Sequence, residues 1–345
     1  MSENTKKLNK SQIIMIICSA VFLVIFAITF TLCWFFVDEI YKVDLNQIKT
    51  PANLVWCDEF DGDKINTDNW RIEPGTNADT GESFDGLNFG ECIIRKGGYW
   101  TLDQCLLGPT KDGDKTANVL KIRTEKIGND WHTAGIISDR ALAQKYGYFE
   151  VRARLPKFYG TWSAFWMMPY NAPTAPTGKD ALNAKLYGGE IDIMEAPAYA
   201  RKSNGIVQQA LHIGDYNRNT GTSTFSMNWL TENVGDIYDS FHTYGLYWDE
   251  NMYKFYVDEK CVWTTSYNHT GNVSGIAQYL FLSTEIGGRD GIVGENPWKA
   301  ILPKNKQLVT DNPQDIKYGD FEIDYVRCYS IKSTEFAVNN QKKIN

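Results

Sequence analysis

Gly188-Gly189-Glu190-Ile191-Asp192-Ile193-Met194-Glu195-Ala196-Pro197 sets three carboxylates within six residues of an apolar, β-branched run. A glycine pair opens the run and a proline closes it, so it reads as a half-buried strand. Side chains alternate along a strand. Glu190 and Asp192 therefore share one face, and Ile191 and Ile193 the other. Glu195 stands five residues after Glu190, and strict alternation would turn it to the isoleucine face. One extra residue, a β-bulge near Ile193-Met194, returns it to the carboxylate face, and bulges are common beside sites where a side chain must be re-aimed.

With that bulge three acids line one face. The two glutamate Cα atoms then stand about 13 Å apart, at about 3.3 Å per residue over four effective steps. Their long side chains can close the carboxyls to about 5–5.5 Å, the separation at which one attacks a glycosidic carbon while the other protonates the leaving oxygen. Asp192 between them supplies a charge that drives the flanking proton affinities apart. A solvated acidic strand edge and a cation site use the same residue types, so the neighbourhood has to decide.

That neighbourhood is β-rich. Val119–Thr124, Ala134–Ser138, Tyr146–Pro156, Gly160–Pro169, Gln208–His212, Gln278–Glu285 and Phe321–Tyr329 read as short strands between turns. Phe241–Trp248 and Met252–Asp258 form a hairpin across Asp249-Glu250-Asn251. Outside the N-terminus there is no long amphipathic helix and no internal repeat. Many short strands at near-regular spacing predict an all-β sandwich. Aromatic residues are 14% of the chain, with 11 Trp and 19 Tyr, which suits a wide β core and sugar-stacking platforms. The formal charge of −7 makes nucleic acid an unsuitable partner.

Ile13 to Val37 is 25 residues without a charge, enough to cross a bilayer at about 20 residues per span. Lys6, Lys7 and Lys10 precede it; Asp38 and Glu39 follow. This predicts a cytoplasmic N-terminus (1–11), a transmembrane signal anchor (12–37), a stalk (38–53), a domain at 54–330 that is extracellular or lumenal, and a polar C-terminal tail (331–345). A cleaved signal peptide, which would make the protein secreted, is the rival, although its apolar core should be only about 7–15 residues. Of seven cysteines, Cys18 and Cys33 lie in the apolar run. The other five (Cys57, Cys92, Cys105, Cys261, Cys328) allow at most two disulfides and leave one thiol over. The sequons Asn268-His269-Thr270 and Asn272-Val273-Ser274 fit a surface loop.

The chain resembles glycoside hydrolase family 16, in its laminarinase-like endo-β-1,3-glucanase branch. Six ordered motifs carry the resemblance: Leu54–Phe60, Tyr146–Pro156, Gly160–Trp166, Gly189–Glu195, Phe241–Leu246 and Asp324–Arg327. It implies a β-jelly-roll sandwich of the concanavalin A type with a concave substrate cleft, and retention of anomeric configuration. It implies Glu190 as nucleophile, Asp192 as assisting carboxylate and Glu195 as general acid/base. The extra residue, here Met194, looks like the laminarinase and agarase branch. The xyloglucan- and lichenan-active branches usually lack it.

The resemblance also implies substrate contacts. Trp162 and Trp166, four apart on one strand face, are candidates for stacking on sugar rings, with core packing as the other use of such residues. His212 is similar to the family's cleft histidine near the acid/base. Glu285 ends a strand whose faces the sequence leaves unassigned. Glu150, Arg152 and Arg154 suit a charge ladder on the convex face. Asp324 matches a position that binds structural calcium in some relatives; no other cofactor is required. Where relatives carry an Asn-Asn-Glu-like stretch that contacts distal sugars, this chain reads Gly86-Leu87-Asn88-Phe89-Gly90-Glu91-Cys92. The expected activity is endo-hydrolysis of β-1,3-glucan by a monomer held to the membrane by its anchor. Transglycosylation, in which a sugar hydroxyl replaces water, and non-catalytic glucan binding stay open.

Overall fold

The structure is a computed structural model. It describes residues 42–72, 75–76, 83–84, 92–95, 98–112, 115–128, 130–156, 161–173, 182–197, 206–214, 224–231, 234–266, 273–286 and 318–340, and, before these, 10–11, 15–17, 19–26 and 28–29. The chain divides into two compact units, 1–47 and 48–345.

In the first unit the described residues from Lys10 to Thr29 are helical, and Met15, Phe22, Leu23 and Phe26 are exposed. Thr29 Oγ1 donates back to the carbonyls of Ile25 and Phe26, at 2.9 and 3.0 Å. Among the described residues no helix is long and apolar enough to cross a membrane. The predicted span at 12–37 falls partly on residues outside that set.

The second unit is built of strands. Among the described residues it holds two large sheets, of eleven and nine strands. The main path of the larger runs Lys260–Thr265, Tyr253–Val257, His242–Trp248, Gly147–Arg154, Tyr318–Tyr329, Lys115–Ile127, Asp130–Thr133, Gly98–Trp100, Cys92–Arg95. The other runs Thr224–Thr231, Val207–Gly214, Glu190–Pro197, Thr161–Pro169, Gln278–Ile286, Gly135–Ile137, Arg71–Ile72. Pairing is antiparallel throughout except between Gly98–Trp100 and Asp130–Thr133. The alternating residues of both sheets meet in one apolar core. Phe149, Val151, Leu246 and Phe321 come from the first sheet, and Phe165, Met167, Ile191, Leu211 and Leu282 from the second, all at or near zero exposure. Burial of this kind stabilises by about 25 cal/mol per Å² of apolar surface.

The predicted hairpin forms. Trp248 pairs with Tyr253, and Asp249 Oδ1 caps the turn by accepting from the backbone of Asn251 and Met252, at 2.7 and 2.9 Å. The charge ladder also forms, on the outer face of the larger sheet. Glu150, fully buried, accepts from Tyr148 and Tyr325 hydroxyls and from Lys49 Nζ, each at 2.9 Å. Arg152 bridges Asp324 and Asp112, and Arg154 grips Glu322.

Some elements differ from expectation. The polar tail contributes a strand, Glu335–Asn339, paired with Leu142–Lys145. Thr224–Thr231 is a further strand beside Val207–Gly214. Cys105, Cys261 and Cys328 are free thiols. Burial pushes the Cys57 thiol up to about 11 and that of Cys105 to about 12, so neither is a ready nucleophile. Both sequon asparagines and residues 86–91 and 287–316 lie outside the described residues.

Candidate active site

The strand Glu190–Pro197 lies between Thr161–Pro169 and Val207–Gly214. Its start is fixed by glycine. Gly188 has φ +73, and a side chain there would also strike Pro169, 2.7 Å from the position of a Cβ. Gln278 Nε2 then donates to the Gly189 carbonyl at 2.9 Å.

The predicted bulge is present, and its extra residue is Ile193. On one side Asp192 pairs with Trp166 and Met194 with Phe165; on the other Asp192 pairs with Ala210 and Glu195 with Gln208. Both neighbours pass over Ile193. Ile191, Ile193 and Met194 all enter the core at 1% exposure or less, while Glu190, Asp192 and Glu195 face the other way. The apolar side chains and the bulge together decide which way the acids point.

Glu195 is held by two donors. Trp162 Nε1 donates to Glu195 Oε1 and Gln208 Nε2 to Glu195 Oε2, both at 3.0 Å. His212 pairs in register with Glu190, and its Nε2 lies 3.2 Å from Asp192 Oδ2. Trp166 stacks on Phe281 with ring centroids 4.0 Å apart, and its Nε1 donates to Ser283 Oγ at 3.0 Å. Trp162, Trp166, Glu190, Gln208, His212 and Glu285 all keep partial solvent contact.

Burial dominates the electrostatics. It raises the proton affinity of Glu190 well above the usual carboxylate range, and the Asp192 charge adds to this. Asp192 is raised well above its usual range by burial and then by Glu195. Glu195 is raised by burial, while its bonds from Gln208 and Trp162 and the nearby His212 pull it back down. Three carboxyls this close and this dry do not all ionise at neutral pH, so the cluster retains protons that an exposed trio would lose.

The sequence named Glu190, Asp192, Glu195, Trp162, Trp166 and His212, and the structure brings all six onto one face. Gln208 was not singled out. Its signal was the even spacing to His212 on one strand, which puts both on the same face. Asp324 lies on the other sheet, with Oδ2 2.7 Å from Arg152 Nη1. That guanidinium also holds Asp112, and among the described residues Asp324 is in no cluster of three possible metal ligands. Glu190, Asp192 and His212 have possible ligand atoms within 4.8 Å of one another, but their placement also serves the acids' own chemistry.

The sequence model described as "Beta-porphyranase A-D, GH16 domain" matches residues 52–331. The chain belongs to glycoside hydrolase family 16. Curated relatives include a glucan endo-1,3-beta-glucosidase A1 from Niallia circulans, 26% identical over 301 residues, covering 80% of this chain and 38% of that one. A keratan-sulfate endo-1,4-beta-galactosidase from Sphingobacterium multivorum is 26% identical over 291 residues, covering 82% and 56%. The chain spans 36–38% of the length of three of the curated relatives it matches. Among solved structures, a family 16 enzyme from Bacteroides ovatus in complex with a mixed-linkage glucan product superposes with a TM-score of 0.56. It is 24% identical and covers 80% of this chain and all of that one. The two-sheet architecture is therefore that of the family 16 jelly roll.

Proposed function

We propose that the chain is a retaining endo-hydrolase of β-1,3-glucan. The observation that carries this reading is the bulge at Ile193, which puts Glu190, Asp192 and Glu195 on one partly open face with Trp162 and Gln208 fixing both oxygens of Glu195.

In this reading Glu190 is the nucleophile. Its ionised carboxylate attacks the anomeric carbon while Glu195 gives its proton to the departing glycosidic oxygen, leaving a glycosyl ester on Glu190. Glu195, now a carboxylate, takes a proton from water as the water displaces Glu190. Retention follows from two inversions. Esterification removes the Glu190 charge, and with it a repulsion that favours a protonated Glu195. The same residue is thus acid in the first step and base in the second. Asp192 retains a proton in the cluster and offers it to Glu190 as a hydrogen bond, which moderates the charge on the nucleophile and its departure as a leaving group. Trp162 and Trp166 present rings to the pyranose faces, and His212 orients Asp192.

Reducing-sugar release from laminarin, lichenan, agarose and xyloglucan by the full chain, with Glu190→Gln as control, tests this. Laminarin cleavage with retained configuration, lost in the variant, is expected; equal cleavage by the variant refutes the nucleophile. A second reading, a β-galactan substrate, is favoured by the porphyranase description of the matching sequence model and by the Sphingobacterium relative. Cleavage of agarose without laminarin would select it.

We also propose that residues 12–37 act as an uncleaved anchor with the following domain extracellular or lumenal. The length of the run and the lysines before it support this. Carbonate extraction and protease protection of the expressed chain test it; a soluble full-length product refutes it.

A further inference from the structure

We propose that Glu190, Asp192 and His212 bind a divalent cation of the zinc class, and that the bound ion blocks the cleft by occupying the carboxylate of Glu190. The blocking rests on the reading of Glu190 as nucleophile; the binding does not.

Strand geometry brings the three together. Glu190 and His212 are cross-strand partners, and Asp192 stands two residues along from Glu190 on the same face. The strands approach closely here: a Cβ on Gly189 would lie 2.8 Å from the His212 carbonyl oxygen. One carboxylate oxygen of each acid and one ring nitrogen of His212 all lie within 4.8 Å of one another.

A second observation sets this group apart from an ordinary acidic patch. Asp192 is 2% exposed, and among the described residues its buried Oδ2 makes no hydrogen bond. His212 Nε2 stands 3.2 Å away but lacks the alignment of a hydrogen bond. Two atoms that ligate one metal ion, each about 2.0–2.2 Å from it, are themselves about 3–3.6 Å apart. The pair therefore has the separation of neighbouring ligands, and it leaves a buried carboxylate oxygen to be satisfied by a cation. Glu190 and His212 keep partial solvent contact, so an ion can enter and keep water on its open positions.

Donor type decides which ion. Two carboxylates and an imidazole suit a zinc-like ion, whereas magnesium and calcium take oxygen ligands. Charge points the same way. Glu190, Asp192 and Glu195 repel one another in a partly dry site, and a dication relieves that repulsion as a retained proton does. A Glu190 carboxylate held by the ion is not available to attack an anomeric carbon, so ion and sugar compete for it.

Isothermal titration of the full chain with zinc chloride and with magnesium chloride at pH 7 tests the binding. One zinc ion per chain is expected, bound at least about tenfold tighter than magnesium. His212→Ala and Glu190→Gln should each weaken zinc at least about tenfold. Glu190→Gln keeps the size of the side chain, so it carries the test if His212→Ala does not fold. His242→Gln alters the other histidine–aspartate contact, in which His242 Nδ1 lies 2.8 Å from Asp258 Oδ2, and should bind zinc like wild type. Unchanged binding in the site variants would overturn the site, as would equal binding of magnesium or a loss confined to His242→Gln. On laminarin, zinc is expected to raise KM with kcat unchanged, and EDTA to reverse this. Bound zinc that leaves hydrolysis unaffected would overturn the blocking. Zinc bound by a chain that cleaves no polymer would uphold the site and overturn the reading of Glu190 as nucleophile, and the blocking with it.

Discussion

Trp162 lends its indole hydrogen to Glu195: Nε1 lies 3.0 Å from Oε1, and Gln208 Nε2 reaches the other oxygen at the same distance. Both donors favour the ionised form, so they oppose the burial that raises this carboxyl. Trp162→Phe should therefore raise the proton affinity of Glu195 further. Protonated Glu195 is the acid, and activity is lost as pH rises through its pKa. The alkaline limb of the kcat/KM profile should move to higher pH, with a fall of about tenfold in kcat from lost orientation. A pH–rate profile of the variant on laminarin checks this; an unmoved limb would make Trp162 a platform and nothing more.

Asp192 is 2% exposed and holds its proton far more tightly than a free aspartate. A carboxyl whose proton affinity is higher folded than unfolded makes the folded state bind more protons. Stability then declines as pH climbs from the ordinary carboxylate range toward the raised value. Asp192→Asn has no such penalty. It should melt about 2–4 °C higher than wild type at pH 7, with the gain gone by about pH 4, while turnover falls. Calorimetry at the two pH values decides; an equal or lower melting temperature at pH 7 would show that the site does not hold Asp192 protonated.

On the opposite sheet, Lys49 Nζ bonds Glu150 at 2.9 Å and Glu259 at 2.6 Å. Glu150 is fully buried, so Lys49→Met leaves its charge with two tyrosine hydroxyls and no cation. A loss of about 2–3 kcal/mol in denaturant unfolding is expected. Lys49→Met/Glu150→Gln should lose less than the two single changes added together. Activity at low temperature should stay near wild type, since neither residue lies on the sheet that carries the acids.

Much of this is legible in the sequence. Glu190, Asp192 and Glu195 cannot share a face without one extra residue, so their spacing alone announces the bulge. The hairpin at Asp249 is local and shows in the same way. What the sequence hides is set by register between distant strands. Gln208 meets Glu195 across 13 residues, and Glu285 meets Trp162 only because Gln278–Ile286 pairs with Thr161–Pro169. Edge strands hide too. Glu335–Asn339 pairs on one side and leaves three of its first four residues exposed, so it lacks the alternation that marks a half-buried strand. Free thiols were equally illegible, because cysteine count bounds pairing without fixing it.

The bulge itself can be tested by removing it. The pairings of the acid strand pass over Ile193: Ile191, Asp192 and Glu195 oppose Leu211, Ala210 and Gln208 on one side, and Ile191, Asp192, Met194 and Glu195 oppose Met167, Trp166, Phe165 and Ala164 on the other. Deleting Ile193 should leave these pairs in place and give a regular strand in which Glu190, Asp192 and Glu195 alternate with Ile191 and Met194, still on the acid face. The cost is the buried Ile193 side chain, at 1% exposure, or about 2–5 kcal/mol of stability. Activity at low temperature should fall far less than in Glu195→Ala. A folded deletion variant as inactive as Glu195→Ala would mean that the bulge sets the depth of the acid in the cleft, and that facing the right way is not enough for catalysis.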